Sequence, residues 1–279
     1  GLGRIPGLLA LYNFLYPIFI GFNKTSPIIK VDGHKVFIDR KDLSISRRLL
    51  VYGEITEDTD QYLKNSINKG MVVADIGANI GYYTLIAADR VGPNGHVYAF
   101  EPDPRCLKIL NKNVFLNNYS NVDIIPKALS NNGETISVCL DKTHYCLTSF
   151  AKDNLNSFQE KVDVDTVSLD NFFEKLVEKN RLDFIKINIQ GMEGLVIDGA
   201  RGLLQKNNIT MVCEFWPEGL QQCGTNPAEL LQIVRNLGYG WKPIFDNSEK
   251  NYSIDETIQL GNMLPLKRKK ALHLVVTKN

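Results

Sequence analysis

Cysteine is scarce in this 279-residue chain: the five cysteines, at 106, 139, 146, 213 and 223, are odd in number and form no CxxC pair. That excludes a disulfide framework and a zinc knuckle, and it points to a reducing, cytoplasmic compartment. Neither sign of charge prevails, with 32 Lys and Arg against 31 Asp and Glu. A global field that would draw in nucleic acid is therefore missing, and no nucleic-acid partner is expected. The four histidines, at 34, 96, 144 and 273, show no metal-ligand spacing with any acid, so no metal is assigned. Internal repeats and low-complexity tracts are also lacking, which leaves the order of elements to carry the fold. The longest uncharged stretch, residues 5–22, is broken by Pro6, Asn13 and Pro17 and carries nothing like a small-residue cleavage site.

What is present is a hydrophobic content of 44%, enough to bury a full core in one mid-sized domain with a smaller appendage. The chain divides into an N-terminal extension, residues 1–68, and an alternating β/α domain, residues 69–279. In the latter, the apolar run 72–76 reads as a strand, followed by a Gly-rich turn and a helix from Tyr82 to about Val91. Residues 95–100 form the next strand, and Asp103 with Pro104 opens a helix as N-cap and first helical residue. Further strands are expected at 122–125, 182–189 and 209–215, with β-hairpin material at 133–165 and a helix from about Met192 to Gln205. Asn226 caps a helix whose buried stripe is Leu230, Leu231, Val234 and Leu237. Residues 239–245 and 271–277 read as closing strands in an antiparallel edge hairpin. This order predicts an α/β fold with a doubly wound, mostly parallel sheet and right-handed crossovers.

A strand ending in Asp75 and turning through Gly77-Ala78-Asn79-Ile80-Gly81 lets backbone approach a ligand closely, and the following helix N-terminus suits a carboxylate. Glu101 ends the next strand, 26 residues on, where it is placed to accept two hydrogen bonds from a ribose diol. Together these features read as an adenosine cofactor site. A nicotinamide fingerprint, GxGxxG, fits poorly, because Asn79 and Tyr82 stand at its second and third glycines.

The segments VVADIGANIGYYT, VYAFEPDP, NNYSNVDIIPKALS and FIKINIQGMEG together resemble the FkbM-type S-adenosylmethionine-dependent methyltransferases, over about Gly53 to Trp216. The resemblance implies a Rossmann-like class I methyltransferase fold, S-adenosylmethionine as cofactor, and O-methylation of a sugar, glycan or other small hydroxylated acceptor. It implies that Gly77, Asn79 and Gly81 cradle the methionine end, that Glu101 holds the ribose, and that Pro102 and Asp103 border the adenine. Asp75, Ala78, Tyr82 and Ala128 complete the expected cofactor contacts. Members of the family usually read KIDVEGAE where this chain reads Lys186-Ile187-Asn188-Ile189-Gln190-Gly191-Met192-Glu193. Two carboxylates are amides here, at the strand end expected to face the cofactor's methyl group.

Amides can orient a hydroxyl or an amine but cannot take a proton from it. Candidate catalytic residues are therefore Glu214, beside Phe215, Trp216 and Pro217 at a strand's carboxyl end, and Glu193, with Asn188 and Gln190 orienting the acceptor. Glu193 also begins a helix, where the dipole alone favours an acid. His144, in the inserted loop, is a lesser candidate. N-methylation remains an alternative, as does a cofactor-binding protein with weak or lost catalysis acting as a regulatory or assembly subunit. Residues 5–22 read either as a helix packed on this domain or on a second copy in a homo-oligomer, or as a peripheral membrane contact helped by the basic cluster 267–270.

Overall fold

The structure, a computed structural model, describes residues 27–147, 158–176, 181–248, 250–268 and 271–279. The apolar stretch 5–22 and the side chains of the basic cluster 267–270 lie outside these residues. Among the described residues, no helix is long and apolar enough to cross a membrane.

The described chain opens with a hairpin, β1 (Ile28–Val31) and β2 (His34–Phe37), paired antiparallel. Its two turn residues, Asp32 and Gly33, both take positive φ (48° and 84°), which matches the right-handed twist of the strands. Helices Ile45–Tyr52 and Glu57–Ser66 follow. Val31, Val36, Leu49, Leu63 and Ile67 from this region share one apolar cluster with Val73, Ile86, Val97 and Phe184, so the N-terminal elements lie on one face of the main sheet.

That sheet contains β3 (Val72–Ile76), β4 (His96–Phe100), β5 (Val122–Ile125), and, after an excursion, β9 (Phe184–Ile187), β10 (Thr210–Phe215), β11 (Tyr239–Pro243) and β12 (Leu272–Lys278). The excursion is a small separate sheet of β6 (Ala128–Leu129), β7 (Thr135–Asp141) and β8 (Phe158–Val167), in the region expected to hold hairpin material. Among the described residues the main sheet runs β11-β12-β10-β9-β3-β4-β5. Pairing from β10 through β9, β3 and β4 to β5 is parallel, whereas β12 is antiparallel to both of its neighbours. The fold is thus doubly wound and mostly parallel with an antiparallel edge. All five residues of β3 are buried, as a central parallel strand covered on both faces requires. The chain passes from β3 outward to β4 and β5, then returns to β9 on the other side of β3. The crevice between the carboxyl ends of β3 and β9 is therefore the topological switch point, where open α/β sheets hold ligands.

The opposite face packs Leu169, Phe173, Val196, Leu204, Leu220 and Leu230 against the sheet. The helix expected from Met192 to Gln205 is instead two short helices, Glu193–Asp198 and Arg201–Lys206. They part at Gly199, whose carbonyl accepts a hydrogen bond from Asp170 N. A side chain at 199 would collide with the Ser130 carbonyl. A further difference lies between β11 and β12, where helix Ile254–Arg268 occupies what reads in sequence as a loop.

Helix Pro227–Asn236 starts as its sequence requires: the Asn226 side chain accepts from Ala228 N at 2.9 Å, and Leu230, Leu231 and Val234 are buried. Replacing Asn226 with alanine removes this cap at an exposed site and is expected to cost about 1 kcal/mol. For a domain of this size the melting temperature should fall by about 2–4 °C, with cofactor affinity unchanged; a thermal scan with and without ligand checks both.

Candidate active site

The loop after β3 owes its shape to residues that tolerate left-handed backbone. Gly77, Asn79 and Gly81 have φ of 74°, 52° and 93°, and asparagine is among the few residues with a side chain that adopt this region readily. Asn79 also accepts a bond from Ile80 N through its own Oδ1, at 2.9 Å. The missing Cβ atoms serve packing as well as turn geometry. One at Gly77 would meet the Asn188 carbonyl, and one at Gly81 would come 2.6 Å from Leu110 Cδ1. At both positions the space that glycine leaves is filled by protein, while the Gly77 backbone lines the cleft. Gly81 does not line the cleft. The close approach at Gly77 also sets the turn 188–190 directly against the loop.

Asp75, at the end of β3, is 1% exposed and is consumed by the scaffold. Its carboxylate accepts from Thr84 Oγ1 at 2.6 Å and pairs with Lys186 Nζ at 3.1 Å. Lys186, on β9, also donates to the Gly77 carbonyl at 2.8 Å and faces the cleft. Sequence reading missed it, because a lysine inside a buried strand gives no local sign of the loop it will hold.

Glu101 sits at the end of β4, 5% exposed. Its Oε2 accepts from Asn79 N at 2.7 Å and its Oε1 from Asp103 N at 2.8 Å. A carboxylate offers about four lone-pair directions, so two bonds leave acceptor capacity facing the cleft it lines. Burial pushes Glu101 up to about 7, against the opposing pull of the two backbone donors and of Lys186. Asp103 is fully buried, caps helix Pro104–Leu116 and is gripped by the Arg105 guanidinium at 2.6 Å, so it holds Glu101 in place and does not border the cleft.

The cleft encloses about 930 Å³, counted out to its mouth. Of the residues singled out in sequence, Gly77, Ala78, Asn79, Tyr82, Glu101, Pro102, Ala128, Asn188 and Gln190 line it together. Glu193 and Glu214 do not. Glu193 lies under the turn 189–191, its two oxygens accepting from Ile189 N at 2.9 Å and Gly191 N at 3.0 Å. That geometry corrects its expected place at the acceptor: it shapes the turn. Glu214 stands behind Gln190, whose Nε2 donates to Glu214 Oε2 and to Asn188 Oδ1, both at 3.1 Å. Burial, reinforced by the Glu193 carboxyl and opposed by Lys186, raises Glu214 to about 8. Gln190 has φ of 57°, a strained value for a residue with a side chain, at the point where its amide meets the cleft.

A roof that no single segment foretells covers the cleft. Residues 39–46 and 141–147 are joined by Leu43 N to the Thr143 carbonyl at 2.6 Å, Tyr145 OH to Asp39 at 2.9 Å and Cys146 N to Ser44 Oγ at 3.3 Å. Arg105 clamps it by donating to the Asp141 carbonyl at 2.7 Å, with its guanidinium 4.2 Å from the centre of the Tyr145 ring. Ile45, Tyr145 and Cys146 thereby reach the cleft wall. His144 turns to Thr143 Oγ1, 3.0 Å from its Nδ1, and is not part of the lining. Among the described residues no group of three or more His, Cys, Asp and Glu side chains could hold a metal ion, and all five cysteines are free thiols.

A sequence profile of the methyltransferase FkbM domain matches residues 75–240. A protein-L-isoaspartate O-methyltransferase from Methanothrix thermoacetophila is 36% identical over 59 residues, 21% of this chain and 28% of that enzyme. Methyltransferase sdnD from Sordaria araneosa is 25% identical over 199 residues, which cover 61% of this chain and 76% of that protein. The chain thus spans less than a third of the first of these relatives and about three quarters of the second. Among solved structures, the methyltransferase FkbM from Methylobacillus flagellatus KT aligns with a TM-score of 0.43 at 15% identity, covering 75% of this chain and 43% of that one.

Proposed function

The chain belongs to the FkbM methyltransferase family, a group dependent on S-adenosylmethionine, and from that premise we propose that it methylates a small acceptor held between the turn 188–190 and the roof. One observation carries the reading: at the switch point of the sheet, a single cleft wall joins the left-handed loop 77–79, the buried carboxylate of Glu101 and the Asn188–Gln190 amides.

The residues present fit the cofactor. Glu101 keeps lone pairs for a ribose diol, and Pro102, Ala128, Leu129 and Val138 supply apolar walls for a flat base. When bound, the sulfonium supplies an activated methyl group for in-line displacement. Lys186 fixes the carbonyls of the loop, so that the backbone facing the methionine end is set before ligand arrives. Asn188 and Gln190 orient the acceptor, and the roof keeps water from the reacting atoms. A glycan hydroxyl, the acceptor class implied by family resemblance, would need a group to take its proton, and at the turn 188–190 the wall itself presents amides, with the Glu214 carboxyl one side chain behind Gln190.

Titration with S-adenosylhomocysteine, followed by transfer of labelled methyl from S-adenosylmethionine into a panel of small acceptors, tests the proposal. Saturable one-site binding and incorporation into at least one acceptor are expected. Failure to bind the product nucleoside would overturn it.

A further inference from the structure

We infer that the acceptor atom is a neutral amine nitrogen and not a hydroxyl oxygen, because the cleft wall at the turn 188–190 presents amides where an alcohol would need a proton acceptor. The inference rests on the methyltransferase reading and narrows it to a substrate class.

Tyr82, Tyr83 and Tyr145 are held well above the ordinary phenol value by burial, and so keep their protons. Burial likewise pushes the Cys146 thiol up to about 12. Lys186 donates to the loop carbonyls, and Lys127 faces Asp165 at 3.8 Å. Glu101 is tied to two backbone N–H groups at the ribose position. Among the described lining residues, that leaves no side chain free to take a proton at the acceptor end.

Glu214 does not fill this gap. It is separated from the wall by Gln190, and burial together with the Glu193 carboxyl raises it above the ordinary carboxylate range, which favours its protonated form. Both Nε2 hydrogens of Gln190 are committed, to Asn188 Oδ1 and to Glu214, which turns its carbonyl oxygen to other partners. That oxygen can accept an N–H bond and aim the nitrogen lone pair, but it cannot hold a proton.

The two acceptors differ in what they ask of such a wall. An alkylammonium gives its proton to bulk water before it enters the cleft, and the neutral amine then attacks with its own lone pair: the N–C bond forms, the C–S bond breaks with its electron pair passing to sulfur, and positive charge moves from sulfur to nitrogen. The surplus N–H proton then leaves to water, after transfer. An alcohol must lose its proton during transfer, and its barrier rises steeply without a base.

The test uses the full chain and matched pairs, benzylamine with benzyl alcohol and glucosamine with glucose, together with titration by S-adenosylhomocysteine. The amine of a pair is expected to show a kcat/KM at least tenfold above its alcohol. Gln190→Glu, which puts a carboxylate on the wall, is expected to shift the alcohol-to-amine ratio at least tenfold towards the alcohol. Equal or faster methylation of the alcohols, or no methylation of either amine by a chain that binds S-adenosylhomocysteine, would overturn the inference. Absence of that binding would overturn both it and the methyltransferase reading.

Discussion

Replacement of Glu101 by alanine is expected to weaken S-adenosylhomocysteine binding by roughly 10- to 150-fold, the equivalent of about 1.5–3 kcal/mol for hydrogen bonds to a charged acceptor. The side chain is buried and shaped by two backbone donors, Asn79 N and Asp103 N, so that its remaining lone pairs face the cleft. Circular dichroism should show the fold retained, because the sheet and both apolar clusters are untouched. The raised value of Glu101, about 7, adds a second signature. Only the ionised form can accept from both ribose hydroxyls. Wild-type affinity should therefore be full above pH 8 and fall as pH drops through 7. The alanine variant should lack that inflection. Calorimetric titration between pH 5.5 and 8.5 reads both effects, and an alanine variant that binds like the wild type would remove Glu101 from the ribose.

Why some of this was legible in sequence and some not follows from the range of the interactions involved. The parallel strands announce themselves because they are buried on both faces; Val72, Val73, Ala74 and Ile76 are all buried. Caps at Asp103 and Asn226 are equally local, each side chain bonding an amide two residues on. The roof over the cleft is the opposite case. Tyr145 meets Asp39 across 106 positions of sequence, and no pattern within either segment specifies that pairing. Asp75 shows how a motif can be recognised while the task of one residue is misassigned: an acid before a Gly-rich turn suggests a ligand contact, yet its oxygens are spent on Thr84 and Lys186.

Helix Ile254–Arg268 was hidden for a different reason. Gly261 and Pro265 interrupt it and depress any helical expectation. A local signal was nevertheless present, a reciprocal cap in which Glu256 N donates to Ser253 Oγ at 3.1 Å and Ser253 N to Glu256 Oε2 at 2.9 Å. Gly261 has its own cause, since a Cβ there would come 2.9 Å from the Pro217 ring. The buried bond from Trp241 Nε1 to Thr257 Oγ1, 2.8 Å, then anchors the helix to the sheet edge.

The second large effect is expected at Gly77, where alanine should cost about 3 kcal/mol and impair cofactor binding as well. Its φ of 74° carries a left-handed penalty of about 1–2 kcal/mol for any residue with a Cβ. The larger part is steric. The added carbon would run into the Asn188 carbonyl oxygen and stand 2.9 Å from Ile189 Cγ2. The Asn188 carbonyl belongs to a turn braced from below by Glu193, so relief requires the ends of β3 and β9 to part. Parting them would shift Asn79 N away from Glu101 and loosen the grip of Lys186 on the loop. At about 2–4 °C per kcal/mol for a domain of this size, the melting temperature should fall by about 6–12 °C. Part of the stabilisation normally gained from S-adenosylhomocysteine should be lost with it. Gly53→Ala is the control: that residue has nearly the same φ, 77°, with nothing within 4 Å of the added carbon. It should show the backbone cost alone, with ligand stabilisation intact. Differential scanning fluorimetry of both variants, with and without ligand, separates the two contributions. Equal losses at 53 and 77 would mean that the approach of the two strand ends does not constrain the loop.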